Sequence, residues 1–297
     1  MTTAMNVGWV GVGRMGLPMA GHLLAAGHAI TAFDVAPAGV AALVARGASA
    51  AASPAAAARG MDVTFSSIPH DAALRTIALA DDGVLAGAAP GSTYIDTSTV
   101  SPQISAEVAA AAEKRGVLYL RVSVSGNNHM AEKAALTVMA SGPRAAFEKV
   151  SPLLSCFGPN VFYVGEGEQA RTLKLVINLM IAGTAGMFAE ALALGTKGGL
   201  EWAQMLDIVA ASAVGSPIVK SKVNELKNRD FTPTFTCVQM QKDLDLILGA
   251  GKSSGVVLPM TAVVAQMMQA CIAMGDADDD YIATVKLVER LSGITAA

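Results

Sequence analysis

Two sets of residues in this 297-residue sequence have the types and spacing to do chemistry. The first is the glycine run "GVGRMG", which places Gly11, Gly13 and Gly16 in a G-x-G-x-x-G arrangement. Small residues there let a pyrophosphate come close to the backbone, and a helix starting at the run offers unpaired N–H donors and a positive dipole end. Glycines also sit in tight turns for steric reasons alone, so context decides. A strand-like "NVGWVGV" precedes the run, a helical pattern follows, and "AFD" closes the next strand with Asp34 about twenty residues on. A carboxylate at Asp34 accepts hydrogen bonds from an adenosine ribose and repels a 2′-phosphate. No Arg or Lys follows in "DVAPAG", which favours NAD, with NADP the less favoured cofactor. The plain alternative for Asp34 is a solvated turn residue.

The second set is Lys174 and Asn178, four residues apart in the apolar stretch from Leu173 to Leu194, so that on a helix both leave from one face. A lysine there can give or take a proton if burial or neighbouring positive charge brings its pKa towards working pH. A lysine laying its stem along apolar surface beside a satisfied core asparagine explains the spacing equally well.

These residues need a scaffold, and the chain supplies an α/β pattern. To about residue 165, β-rich runs alternate with Ala-rich helical segments: "NVGWVGV", "AITAFDV", "DVTFSSI", "STYIDTS", "VLYLRVSV", "ALTVMAS" and "NVFYVG". Several runs are nearly all apolar, as strands covered on both faces should be. The pattern predicts a doubly wound Rossmann-type domain over 1–165, with the last strands open to antiparallel pairing at one edge. After Gly167 it becomes helical, giving 166–297 as a long helix followed by an all-α domain. Helices are expected to about Lys197 and near 201–213, 216–228, 237–253 and 259–293. Ala51 to Ala58 reads as a short surface helix.

Composition narrows the function classes. With 53% hydrophobic and 15% charged residues the chain can bury two cores. A net charge of −3 gives no basic footprint, so nucleic acid is not an expected partner. Lys174, Asn178 and Glu190 interrupt the most apolar stretch, which favours a buried helix over a membrane span. Three widely spaced cysteines and the absence of a leader pattern fit a reduced, cytoplasmic protein. The four histidines lack metal-ligand spacing, and "GDADDDY" at 275–281 reads as an acidic first helical turn beginning near Asp280 rather than a metal loop, so no metal is expected.

At this point the sequence resembles a known family. "GWVGVGRMGLPMAGHLLAAGH", "SSIP", "IDTSTVSP", "SVSG", "GEGEQARTLKLVIN" and "QKDLDLIL" follow in the order seen in the β-hydroxyacid dehydrogenases, the group that includes 3-hydroxyisobutyrate dehydrogenase. The likeness covers essentially the whole chain. It implies a cofactor domain, a long interdomain helix, an all-α C-terminal domain and a homodimer or homotetramer. It further implies an oxidoreductase moving hydride between NAD and a small β-hydroxy acid or its aldehyde acid, with Lys174 as general acid and base and Asn178 as its support. In the cofactor set the resemblance puts Gly11, Gly13, Arg14, Met15, Gly16, Asp34, Ile68, Pro69, Ala73 and Thr99. Lys242 matches the family's second lysine, near both cofactor and substrate, with Asp243 orienting it; a plain surface ion pair on that helix is the alternative.

The same resemblance assigns the stretch from 121 to 127 to the substrate carboxylate. Relatives read Asp-Ala-Pro-Val-Ser-Gly-Gly there, and this chain reads "RVSVSGN". Ser125 and Gly126 keep the anion grip, while Arg121, Ser123 and Asn127 depart. If the loop needs a positive φ at 127, asparagine tolerates it better than most residues and adds an amide beside the substrate. Asn128 and His129 extend a polar rim that either recognises a further polar group or serves a structural turn. His22 stands where asparagine is usual. Rival readings are a tartronate semialdehyde or succinic semialdehyde reductase, imine reduction on the same scaffold, and a non-catalytic dinucleotide-binding scaffold or sensor.

Overall fold

The computed structural model describes residues 4–295, and its chain divides into two compact units between Lys174 and Leu175. Strands β1 Asn6–Val10, β2 Ala29–Phe33, β3 Ser49–Ala50, β4 Val63–Ser66, β5 Thr93–Asp96, β6 Leu118–Ser125, β7 Thr137–Ser141 and β8 Asn160–Gly165 form one sheet in the order β3-β2-β1-β4-β5-β6-β7-β8. Pairing is parallel from β3 through to β6, antiparallel between β6 and β7, and parallel again between β7 and β8. Helices α1 Gly16–Ala25, α2 Pro37–Val44, α3 Pro54–Ala58, α4 Asp71–Leu79, α5 Val84–Gly87, α6 Pro102–Lys114, α7 Asn128–Glu132 and α8 Arg144–Leu154 complete the first unit.

The central strands are apolar because both faces are covered. On one side Trp9 stacks on Phe65 at 4.9 Å between ring centroids, and Phe157 meets both rings edge-on. On the other side Val10, Leu74, Val84, Tyr94 and Ile104 belong to a separate core. The Ala-rich segment departs from the surface helix expected of it: Ala57 and Ala58 of α3 lie in that core. A Cβ added to Gly8 of β1 would come within 2.3 Å of the Ala57 carbonyl oxygen, so the small side chains serve a close helix-to-strand approach. The two-residue strand β3 gives too short a run to stand out in the sequence.

Helix α9 Gln169–Lys197 crosses the division, and α10 Trp202–Ala211, α11 Pro217–Lys227, α12 Cys237–Ser254, α13 Pro259–Cys271 and α14 Thr284–Leu291 build the second unit. Among the described residues α9 alone is long and apolar enough to cross a membrane; Ala182, Ala185, Ala189 and Leu192 on it belong to the core of the second unit. The single helix expected over 259–293 is broken. A π-helical turn at Ile272–Asp276 holds Gly275 at φ +97°, and the chain restarts with a 3₁₀ turn at Tyr281–Ala283. Acidic side chains explain the break. Asp276 binds Arg290 at 2.7 Å and Lys286, while buried Asp280 pairs with Lys222 at 2.9 Å and caps the new turn by accepting from the Ile282 N–H. No cluster of three or more metal-ligating side chains occurs among the described residues.

Candidate active site

Parallel strands deliver their carboxyl ends to one edge of the sheet, where ligands of open α/β sheets bind. In the first unit that edge carries the glycine turn after β1, Asp34 after β2, Ile68 and Pro69 after β4, Thr99 after β5, and Ser125 at the end of β6. The glycines of the turn do different jobs. Gly11 has φ +91°, and a Cβ there would lie 2.2 Å from the Ser67 carbonyl oxygen, so the protein's own packing demands it. A Cβ on Gly13 would meet nothing within 4 Å. Its missing side chain leaves an open approach to the N-terminus of α1, which suits a pyrophosphate. Arg14 and Met15 complete the turn, and Gly16 begins α1.

Asp34 stitches the turn to the second strand. One carboxylate oxygen accepts from the Val12 N–H at 2.5 Å and the other from the Ala36 N–H at 2.8 Å. Each oxygen keeps a lone pair for a ribose hydroxyl. Across the crevice the Ile68 N–H donates to Ser98 Oγ at 3.0 Å, with Thr99 next along the chain. The Ala73 N–H, in the first turn of α4, donates to His70 Nδ1 at 3.1 Å, so His70 acts as a helix cap. An open glycine cradle, a helix N-terminus and a carboxylate at the end of β2 fit a dinucleotide.

Lys174 lies three residues beyond Arg171 on α9, and its Nζ donates to the Val124 carbonyl oxygen at 2.9 Å. This sets the amine beside the backbone that leads into Ser125, Gly126 and Asn127. The loop does not need a positive φ at residue 127. Asn127 sits at φ −96°, and Gly126 takes the left-handed strain at +132°. The Asn127 side chain instead caps α7, its Oδ1 accepting from the Met130 N–H at 3.0 Å. The Asn128 side-chain oxygen is buried with no hydrogen-bond partner, while His129 is exposed and lies 3.6 Å from Glu132. His22 is within 2.8 Å of the Ala131 carbonyl oxygen and so ties α1 to α7.

Arg121 is no part of an open rim. It is 7% exposed, donates to Glu168 Oε1 through Nε at 2.8 Å and through a terminal nitrogen at 2.5 Å, and lies over the Tyr119 ring. Deeper in the first unit Arg171 pairs with Asp96, both essentially without solvent exposure. Burial works against the Arg171 charge, but Asp96 and the Tyr119 oxygen outweigh it and the guanidinium pKa rises. Burial pushes the Tyr119 hydroxyl up to about 12 and also raises that of Tyr94 well above the usual phenol range, so both stay protonated.

In the second unit the Asn178 amide donates to Asp243 Oδ2 at 2.5 Å, with the two residues 4% and 1% exposed. Lys242 lies 2.9 Å from the other oxygen of Asp243. Asp243 is therefore more than one end of a surface pair, because it also fixes the Asn178 amide. That role was open to reasoning only through the "QKDLDL" motif. Nothing in the sequence pattern singled out Arg171.

Comparisons with known proteins accord with this geometry. A family model described as the NAD binding domain of 6-phosphogluconate dehydrogenase matches residues 6–165, and one described as NAD-binding of NADP-dependent 3-hydroxyisobutyrate dehydrogenase matches 168–288. The 2-(hydroxymethyl)glutarate dehydrogenase of Eubacterium barkeri is 35% identical over 298 residues, spanning 100% of this chain and 99% of its own length. The NAD-dependent L-serine dehydrogenase of Pseudomonas aeruginosa is 34% identical, spanning 97% and 99%. A solved structure of Mycobacterium tuberculosis 3-hydroxyisobutyrate dehydrogenase with L-serine aligns at a TM-score of 0.87 and 28% identity, covering 96% of this chain and 99% of that one.

Proposed function

Because this chain belongs to the β-hydroxyacid dehydrogenase family, and is thereby a nicotinamide-dependent oxidoreductase of small hydroxy acids, we propose that it uses NAD and employs Lys174 as general acid and base. The observation that carries the assignment is the Lys174 Nζ bond to the Val124 carbonyl oxygen, one residue before Ser125. Gly11, Gly13, Arg14, Met15, Gly16 and Asp34 would hold the pyrophosphate and adenosine ribose, with Ile68, Pro69, Ala73 and Thr99 along the same edge. The bound dinucleotide supplies the hydride acceptor in oxidation and the donor in reduction.

The residues of the chain manage position and the proton. Ser125 Oγ and the backbone N–H groups of Gly126 and Asn127 grip the substrate carboxylate. As hydride leaves the carbinol carbon, the hydroxyl proton passes to Lys174 Nζ, which must enter that step uncharged; in reduction the same nitrogen returns the proton. Asn178, one turn further along α9, has one amide N–H committed to Asp243, which leaves its oxygen to accept from the Lys174 amine and support it.

The names of the relatives suggest acids that carry a further polar group, L-serine and 2-(hydroxymethyl)glutarate, as first substrates to try. The test is a screen with NAD and NADP at alkaline pH across 3-hydroxyisobutyrate, L-serine, glycerate, 4-hydroxybutyrate, threonate and 2-(hydroxymethyl)glutarate. Turnover of at least one acid with NAD is expected, and Lys174→Met should abolish it while leaving NAD binding intact. Substantial turnover by Lys174→Met would remove the assignment of Lys174, and exclusive use of NADP would overturn the reading of Asp34.

A further inference from the structure

Arg171 is one of the largest fully buried side chains of the first unit, and the reaction as proposed gives it no part. Its guanidinium is spent on the ends of neighbouring elements. One terminal nitrogen donates to the Ser98 carbonyl oxygen at 2.5 Å; the other reaches the Asp96 carboxylate, the Asp96 carbonyl oxygen at 3.2 Å and the Tyr119 hydroxyl at 3.3 Å. Its Nε donates to Ser105 Oγ at 3.4 Å. Asp96 passes the constraint on. Its Oδ1 accepts from Ser66 Oγ and from Ser98 Oγ, each at 2.6 Å, and Ser98 Oγ in turn accepts from the Ile68 N–H at 3.0 Å.

A buried ion pair is weak evidence for stability, because a well-packed apolar pair of the same volume often does as well. What an arginine adds is a planar fork whose donors cannot be satisfied in more than one orientation. Here the fork is anchored at the carboxyl end of β5, and the helix turn that carries it also carries Lys174. Three residues of α-helix advance the chain by about 4.5 Å and turn it to a neighbouring direction on the same side. The rotation and height of that turn therefore place the Lys174 backbone relative to Val124.

We infer that Arg171 is a positioning residue for the reaction, registering the first turn of α9, and with it Lys174, against the β5 edge, and through Asp96 and Ser98 against the Ile68 turn of the cofactor crevice. The inference rests on Lys174 being the acid-base group. A misplacement of about 1 Å at a reacting group can cost on the order of a hundredfold in rate. Arg171→Lys keeps a cation for Asp96 but cannot reach Ser98, Tyr119 and Ser105 together.

The experiment compares the parent, Arg171→Lys, Ser98→Ala and Lys174→Met on the acid turned over fastest in the six-acid screen. Competent sites are counted by NADH fluorescence titration. In Arg171→Lys, kcat per NADH-binding site is expected to fall about tenfold or more, with the binding-competent fraction near that of the parent. In Ser98→Ala the KM for NAD is expected to rise several-fold. A purely structural role would lower the competent fraction and leave kcat per site and both KM values unchanged, and that result would overturn the inference. If Arg171→Lys gives no folded protein, Ser98→Ala decides alone, and unchanged kcat and NAD KM refute it. An inactive Lys174→Met beside a normal Arg171→Lys sinks only this inference, whereas an active Lys174→Met sinks the proposed mechanism beneath it.

Discussion

Asp243 is the most informative residue to remove, because both of its oxygens face groups assigned to the site. Asp243→Ala takes away the acceptor of the Asn178 amide, at 2.5 Å and with both partners nearly unexposed. Leaving a buried donor unsatisfied costs about 1–3 kcal/mol. It also removes the partner of Lys242, whose side chain is 31% exposed, and such a pair contributes roughly 0–1 kcal/mol. The expected loss of folding stability is thus about 1–4 kcal/mol, read from urea unfolding. The catalytic consequence is separate. An Asn178 amide free to rotate no longer offers a fixed oxygen, and losing one such contact, at about 1.4–2.8 kcal/mol, lowers kcat/KM roughly ten- to hundredfold. Asp243→Asn keeps an acceptor oxygen and should fall less. The assay is initial-rate kinetics of Asp243→Ala, Asn178→Ala and the double variant. If Asp243 acts through Asn178, the double variant is no worse than Asn178→Ala alone. Additive losses, or an Asp243→Ala enzyme within about twofold of the parent in kcat/KM, would refute the reasoning.

Two further predictions follow from the fold. Phe157→Ala empties the site packed edge-on against Trp9 and Phe65, and should cost about 3–5 kcal/mol in urea unfolding of the first unit. Asp276 tests the break before α14. Burial opposes its charge, yet Arg290 and Lys286 outweigh that and hold its pKa below the usual carboxylate range. A carboxylate depressed in the folded state adds stability above its unfolded pKa and loses it as pH falls through the folded value. Urea midpoints of the parent and Asp276→Asn should therefore differ at neutral pH and converge in acid; a constant gap would contradict the pairing.

Local physics made much of this protein legible in advance. Gly11, Gly13 and Gly16 were readable because a tight strand-to-helix turn has steric demands carried by adjacent residues. The seven longer strands were readable because burial on both faces needs near-continuous apolar runs. The Lys174 and Asn178 spacing followed from the helical repeat, although the residues alone left a structural explanation equally open and only the family's ordered motifs tipped it. Whether residue 127 needed a positive φ was not legible, because the whole loop decides where the left-handed residue falls, and Gly126 adopts it at lower cost.

Tertiary structure decided which side chains meet. Arg121 meets Glu168 across 47 positions, Asn178 meets Asp243 across 65, and Arg171 meets Asp96 across 75. No periodicity encodes such pairs, because partner choice among buried charges depends on which ends of strands and helices the packed sheet brings within about 3 Å. The same holds for the Ala-rich segment, whose small side chains read as surface composition until Gly8 and α3 are seen to need the space. By itself the sequence determined the order of the longer strands, the glycine turn and an acid-base candidate. Folding determined how the amine, the amide and the loops are held, since orientation belongs to contacts between segments rather than to any one of them.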